Sequence, residues 1–324
     1  MITRYAHCYR GIPMKHVCCV AVVLLLCVSS VWAEQNEKLS DENQAIIEAK
    51  RQKIEAEIAL LKDHPWAGQY YYGDGLGANV WLTLASENGF TVTWYGCLGL
   101  YDQNHGTVAM DGNHIKFSFT FDIESGYIGN YASERIPIRW GERLYLIPTD
   151  GIVRFCNAIN SGKEPRNGPH GQFFLRRGDW EKEAPGKPEL PKEFMPYLLD
   201  KPVDAAIVSI KNTREERVGK IATVVMDKGK EAGLLPGMEL SVVRPNNVYQ
   251  EVKLTKVEET QSEGEYIYAR PHESFLSRTP APVSGWQLST RPSWRRDREE
   301  QEKKDELEKE KRGFFNWNLL PQQR

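Results

Sequence analysis

Short runs of aromatic and β-branched residues alternate with glycine-containing turn signals over residues 66–121, and this pattern constrains the fold more than any other feature. The clearest run, residues 114–121, alternates large apolar residues with polar ones. A period of two is typical of a strand with one buried face. The region is therefore predicted to be an antiparallel β-meander. Four other short runs between turn signals are also predicted strands: residues 68–73, 79–85, 90–95 and 107–110.

Two pairs of residues mark predicted hairpin turns between these runs. They are Asn88-Gly89 and Asp111-Gly112. Both members of each pair tolerate positive φ, which a two-residue type I′ turn requires. We therefore expect run 90–95 to pair antiparallel with run 79–85, and run 114–121 with run 107–110.

Three further strand candidates bring the total to about eight over residues 66–177. Eight strands can close a small up-and-down barrel, which leaves no exposed sheet edge. A sandwich of two sheets is the alternative. We expect this domain to occupy residues 64–180. The three additional candidates are residues 135–140, 143–147 and 172–177.

A second β-rich region follows a linker at residues 181–200 that is rich in proline and charge. We predict a small β-barrel over residues 201–291. The fold class is then all-β, with two antiparallel barrels and with helical segments at the N- and C-terminal ends. Strand candidates in the second barrel are residues 206–210, 221–226, 239–243, 248–257 and 266–269.

Residues 1–33 have the pattern of a secretory signal peptide. Three basic residues and no acidic one accompany 12 consecutive apolar residues at 17–28, and small or aliphatic residues precede the expected cleavage site after Ala33. An uncleaved membrane anchor is the alternative, but spanning a bilayer takes roughly 20 residues. The mature chain is therefore expected to begin at Glu34, in the periplasm or outside the cell, without a transmembrane segment.

Charge argues against nucleic acid as a partner. The signal holds 3 of the 42 basic residues and none of the 44 acidic ones, so the mature chain carries 39 − 44 = −5. Binding to phosphates requires clustered Lys and Arg. The predicted partner is instead an envelope protein or a small ligand, with no cofactor.

Two cysteines remain after the signal, Cys97 and Cys156. In an oxidising compartment the simplest prediction is one disulfide between them. Two alternatives remain open. Both thiols are free, or Cys97 is a nucleophile with His105 or His170 as its base.

Helical segments are predicted on both sides of the barrels. In residues 34–63, Ile47, Ile54 and Ile58 fall on one face, and Pro65 follows. We expect this helix to pack against the barrel, with an oligomeric coiled coil as the alternative. The tail, residues 292–324, has acidic residues four positions before basic ones, followed by an apolar end at 314–320. It is either solvated or docks on a partner.

Two stretches resemble known families. Trp66-Ala67-Gly68-Gln69-Tyr70, followed by glycine-bounded hairpins, resembles the opening of lipocalin-like domains, with Tyr70 in the place of their strand tryptophan. The resemblance implies a ligand-holding barrel.

Residues 228–240 resemble the turn of the small β-barrel at the C-terminal end of flagellar assembly protein T, and residues 285–290 fit its last strand. Residues 232–237 also match a PDZ-domain turn, although the helix that a PDZ domain needs is not evident.

The candidate binding residues lie in two predicted loops, 96–106 and 161–171. If Cys97 and Cys156 are bonded, these loops leave the same end of the barrel, and convergent polar groups at a barrel mouth are typical of a ligand site. The alternative is that the polar side chains only satisfy turn amides. The candidates are Tyr101, Asp102, Asn104, His105, Glu164, Arg166 and His170.

No pattern indicates a metal site. The histidines lack metal-ligand spacing, and residues 102–106 depart from a calcium loop in the position of glycine. The predicted function is an exported non-catalytic binding or envelope-associated protein that holds a ligand or partner in its N-terminal barrel. The alternatives are a structural or assembly module of the cell envelope and a thiol- or acid-dependent hydrolase.

Overall fold

Two closed antiparallel β-barrels make up most of the structure. The computed structural model describes residues 42–61, 64–73, 75, 77–121, 133–165, 172–243, 250–269 and 279–291. The predicted all-β class with two barrels is confirmed. The predicted signal peptide and the charged tail lie outside the described residues.

The first barrel has eight strands in sequential order, and β1 pairs with β8 to close it. All neighbouring pairs are antiparallel, so the connections after β1, β3, β5 and β7 share one end, which we call the upper end. The strands are β1 (Gly68–Gly73), β2 (Asn79–Ala85), β3 (Gly89–Gly96), β4 (Gly99–Asp111), β5 (His114–Phe119), β6 (Glu134–Trp140), β7 (Arg143–Pro148) and β8 (Phe174–Arg176).

Strand β4 is longer than predicted. The expected loop 96–106 is wrong, because only Cys97 and Leu98 form the turn and β4 begins at Gly99. The polar residues of this stretch favoured a loop, but a barrel strand accommodates them where each side chain finds a partner.

The turn between β2 and β3 is not type I′. Gly89 has φ +75°, whereas Asn88 does not have positive φ. The turn is held from outside by Glu57, whose carboxylate accepts hydrogen bonds from the amides of Glu87 and Asn88, both at 2.9 Å. It also accepts the Ser86 hydroxyl at 3.0 Å and the Asn88 side-chain amide at 2.9 Å. Burial alone would raise the pKa of Glu57, but these hydrogen bonds outweigh it and lower the pKa.

Glu57 belongs to helix α1 (residues 42–60), which lies on the outer face of the first barrel. The Arg51 guanidinium donates to the Thr93 hydroxyl at 3.1 Å. Ile47 and Ile54 are fully buried, as the apolar stripe predicted. This apolar face of α1 is the face that a coiled coil would need, and here it packs on the barrel.

Helix α2 (Ile152–Asn160), in the connection from β7 to β8, was not predicted. It packs on the outer face of β6, β7 and β8, and the Phe155 ring lies 5.3 Å from Tyr145 and 5.4 Å from Phe173. Apolar residues at positions 152, 155, 156 and 159 have the spacing of one helix face and carried the missing signal.

The second barrel has six strands in the order β10-β13-β12-β11-β14-β9. Its core includes Val224, Leu240, Val252 and Tyr266. Beyond residue 207 the strand β9 is exposed, whereas its partner β10 remains buried and paired with β13. The strands are β9 (Asp204–Glu216), β10 (Gly219–Met226), β11 (Glu239–Val242), β12 (Glu251–Val257), β13 (Ser262–Tyr268) and β14 (Gln287–Ser289).

Helix α2 also contacts the second barrel. The Asn157 side chain donates to the Gly237 carbonyl at 3.0 Å, and Lys163 forms an ion pair with Glu251 at 2.8 Å. Glu239 lies close to this pair, where burial raises its pKa and the charge of Glu251 adds to the effect. Segment 228–240, singled out by its turn signals, therefore supplies part of the contact between the barrels.

Candidate functional site

The seven predicted site residues fall into separate places. Residues 101, 102, 104 and 105 lie in the upper half of β4, with His105 at the middle of the strand. Glu164 lies at the opposite end. Arg166 and His170 lie outside the described residues.

Asp102 and Asn104 lie in register with inward-facing residues of β3. Asn104 pairs with Val92, which belongs to the barrel core, and Asp102 pairs with Trp94, which packs against that core. The Asp102 carboxylate accepts the backbone amide of Gln103 at 2.8 Å. Asn104 accepts from the Phe121 amide at 3.2 Å and donates to the Phe121 carbonyl at 3.1 Å. Asn104 thus fixes the chain that follows β5.

His105 lies on the other face of β4, outside the barrel. Its Nδ1 atom is 3.3 Å from the Thr120 hydroxyl, and its ring meets Phe121 edge-on at 5.2 Å. Burial lowers the pKa of His105, and the charge of Lys50 on α1 lowers it further. The neutral imidazole is therefore favoured.

Glu164 is engaged at the lower end, because α2 runs down the outside of the barrel. Its carboxylate forms an ion pair with Arg143, the first residue of β7, at 2.8 Å. The Tyr145 hydroxyl donates to the same carboxylate at 3.1 Å. The β3–β4 turn and the β7–β8 connection start at the same end, as expected, yet Glu164 does not join the β4 residues.

The predicted disulfide is not formed. Cys97 is a free thiol on the exposed β3–β4 turn, and Cys156 is a free thiol buried under α2. Burial raises the pKa of Cys156 to about 12, which keeps it protonated. The two cysteines look suitable for pairing by number and compartment, but α2 directs Cys156 into the apolar layer on the outside of β6 and β7.

His105 is poorly placed to serve as the base for Cys97. It lies six residues along β4 from Gly99, roughly 20 Å at about 3.3 Å per residue. His170 lies outside the described residues. Among the residues that are described, no group of three His, Cys, Asp or Glu side chains is arranged to hold a metal ion.

Apolar side chains are exposed at the end of the β3–β4 hairpin, residues 95–101, which we call the tip. Tyr95, Leu98 and Leu100 expose 41 %, 88 % and 38 % of their surface, and Cys97 is also exposed. From residue 94 to residue 101 the chain carries no charged side chain. That uncharged run was visible in the sequence, but the glycines within it suggested only a turn.

Tyr101 gives the tip a defined shape. Its ring lies over Gly96, so closely that a Cβ at position 96 would fall 1.9 Å from the ring carbon Cε2. The ring also meets Trp94 edge-on at 6.4 Å, and its hydroxyl is 3.5 Å from the Cys97 sulfur. The tip is therefore packed from within and presents its apolar side chains outward.

Helices in the described part of the chain fall short of the length and apolarity needed to cross a bilayer. Comparisons with protein-family models, curated proteins and solved structures gave no match. The structure agrees with the lipocalin-like resemblance at the level of an eight-stranded closed antiparallel barrel. The resemblance to flagellar assembly protein T stays a prediction. The fold and surface define a two-barrel protein with an uncharged, exposed hairpin tip.

Proposed function

We propose that this chain is an exported, non-catalytic interaction protein of the cell envelope, in which the barrels serve as a rigid support for exterior binding surfaces. Export rests on the signal-peptide pattern of residues 1–33. The observation that carries the interaction role is the packing of the first barrel's interior.

The inward side chains leave little accessible surface at the centre of this barrel. Tyr70, Leu84, Phe90 and Ile115 have none, and Val92 exposes only 1 %. Phe90 meets Phe117 and Phe119 edge-on at 5.0 and 5.1 Å. A site for a drug-sized molecule needs about 300–1,000 Å³. A ligand at the centre would have to displace close-packed side chains, which interiors resist.

Polar groups also occupy the lower end of the barrel. Asp179 is buried and accepts hydrogen bonds from the Leu144 amide at 3.0 Å, Arg176 at 3.1 Å and Lys182 at 2.6 Å. Towards the upper end, at the start of β6, Arg135 is also buried; it lies over the Phe174 ring at 4.7 Å and donates to the Gln172 carbonyl at 2.8 Å. Asp179 and Arg135 each have their own partners within the chain, which supports a structural role for the barrel.

A ligand held at the upper end is the second candidate function. Trp94 and Asp102 pair across β3 and β4 in the topmost inward row, and both are only half-buried. A small molecule could stack there without entering the core. The hydrolase alternative has less support, because Cys156 is buried and His105 faces α1.

A fluorescent fatty-acid analogue distinguishes the first two functions. We expect no saturable binding to the purified protein. Saturable one-to-one binding that Leu82→Trp abolishes would place a ligand in the core and contradict the proposal. Saturable binding that survives Leu82→Trp but is lost in Asp102→Ala would favour the site at the upper end.

A further inference from the structure

We propose that the tip inserts into the interfacial region of a lipid bilayer. This rests on the proposed function, because it names the partner of one exterior surface of an exported interaction protein. Exposed apolar residues on soluble proteins are usually scattered. Here Tyr95, Leu98 and Leu100 lie within six residues at the end of one hairpin.

The order of side chains along the hairpin matches the polarity of a membrane surface. Leu98 is at the apex, Tyr95 and Tyr101 stand on either side, and Asp102 follows further down β4. Tyrosine rings favour the membrane–water interface, where the ring contacts hydrocarbon and the hydroxyl stays hydrated. Leu98 would then reach the acyl chains while the first charged side chain stays in water.

The backbone of the hairpin also suits shallow insertion. Gly96 and Gly99 are ladder partners, so the two strands pair up to the two-residue turn. Unpaired backbone groups are costly in hydrocarbon. Only the short turn has to enter the interface, and the packing of Tyr101 on Gly96 fixes its shape in advance.

The small exposed area of the tip favours a bilayer over a protein as its partner. The four exposed side chains of the tip together offer a few hundred Å² at most, on the order of half of the ~800 Å² per partner in a standard protein interface. A second copy of the chain docking tip to tip would bury equally little. A bilayer needs no complementary pocket and accepts a small convex surface.

The charge of the tip predicts which membranes it binds. Residues 94–101 contain no Lys or Arg, so the tip itself offers no attraction to anionic lipid. Binding through the tip should therefore depend little on the anionic lipid content and on salt, in contrast to attachment by a basic patch.

The test is co-sedimentation of the protein, as processed by the cell, with phosphatidylcholine vesicles. Leu98→Asp should lower the partition coefficient at least about tenfold, the loss expected for one buried leucine. Leu60→Asp is the matched control, because Leu60 exposes 84 % of its surface on α1, and it should change binding less than twofold. Adding anionic lipid or salt should also change binding of the wild-type protein less than twofold.

Three outcomes would overturn the inference: no binding to phosphatidylcholine, an unchanged partition coefficient in Leu98→Asp, or binding that requires anionic lipid. Sedimentation velocity without lipid identifies a competing occupant. A dimer that Leu98→Asp dissociates would assign the tip to self-association. Any of these results would reject membrane insertion by the tip. The proposed function as an interaction protein would still stand if the fatty-acid analogue does not bind the barrel.

Discussion

Removing the Glu57 carboxylate is expected to separate α1 from the turn between β2 and β3. Glu57 accepts four hydrogen bonds from this turn, at 2.9–3.0 Å. Each bond contributes a net of about 1 kcal/mol, and partial solvent exposure halves the sum. Glu57→Ala should therefore lower the free energy of unfolding by about 2 kcal/mol, measured by urea unfolding at pH 7.

The pH dependence provides an independent check. The pKa of Glu57 is lowered in the folded protein from an ordinary value of 4.5, so its contribution is complete above that value. It is lost as the pH falls through the lowered folded-state pKa. The difference between wild type and Glu57→Ala should thus be full at pH 7 and shrink in acid.

Glu55→Ala is the matched control for this experiment. Glu55 lies on the same helix and accepts one exposed hydrogen bond, from Gln69 at 2.8 Å. We expect its removal to cost less than about 0.5 kcal/mol. An equally small cost for Glu57→Ala at pH 7 would refute the reasoning and show that the turn holds itself.

Three other predictions concern single sites. The processed protein should show one reactive thiol when folded, Cys97, and two when unfolded; no reactive thiol in the unfolded, unreduced protein would restore the disulfide. Gly96→Ala should displace the Tyr101 ring, costing about 1 kcal/mol and accelerating labelling of Cys97; unchanged labelling would contradict the packing. Because the pKa of Glu239 is raised, its ionisation should destabilise the fold as the pH rises above 4.5, and Glu239→Gln should remove this loss in a urea-unfolding series between pH 4 and 7.

Local pattern was sufficient for most of the strands. Aromatic and β-branched runs between turn signals located β1 and β2 at their observed bounds, and they placed the other strands of the first barrel within a few residues except for β4. The local pattern succeeded because alternate residues face a filled interior and a solvated or helix-covered exterior. It failed at β4, where Asp102, Asn104 and His105 are polar yet partnered within the fold.

The candidate site was harder to predict, because it depends on the path of α2 through space. The predicted disulfide would have brought the loop that contains Glu164 close to the β4 residues. Instead, α2 leads the chain to the lower end of the barrel, where Glu164 pairs with Arg143. The same helix buries Cys156 away from Cys97. Leu98 was overlooked because apolar residues in the sequence suggest burial, and only the structure shows which of them lie outside.

The central claim is that the first barrel works through its exterior, with a filled interior. A photoreactive leucine analogue tests it directly, because it closely resembles leucine and does not disturb packing. In cells that incorporate the analogue, mass spectrometry should map crosslinks from position 98 to lipid and crosslinks from Leu82 only to residues of the same barrel. A small molecule crosslinked at Leu82, with nothing captured at position 98, would contradict the account.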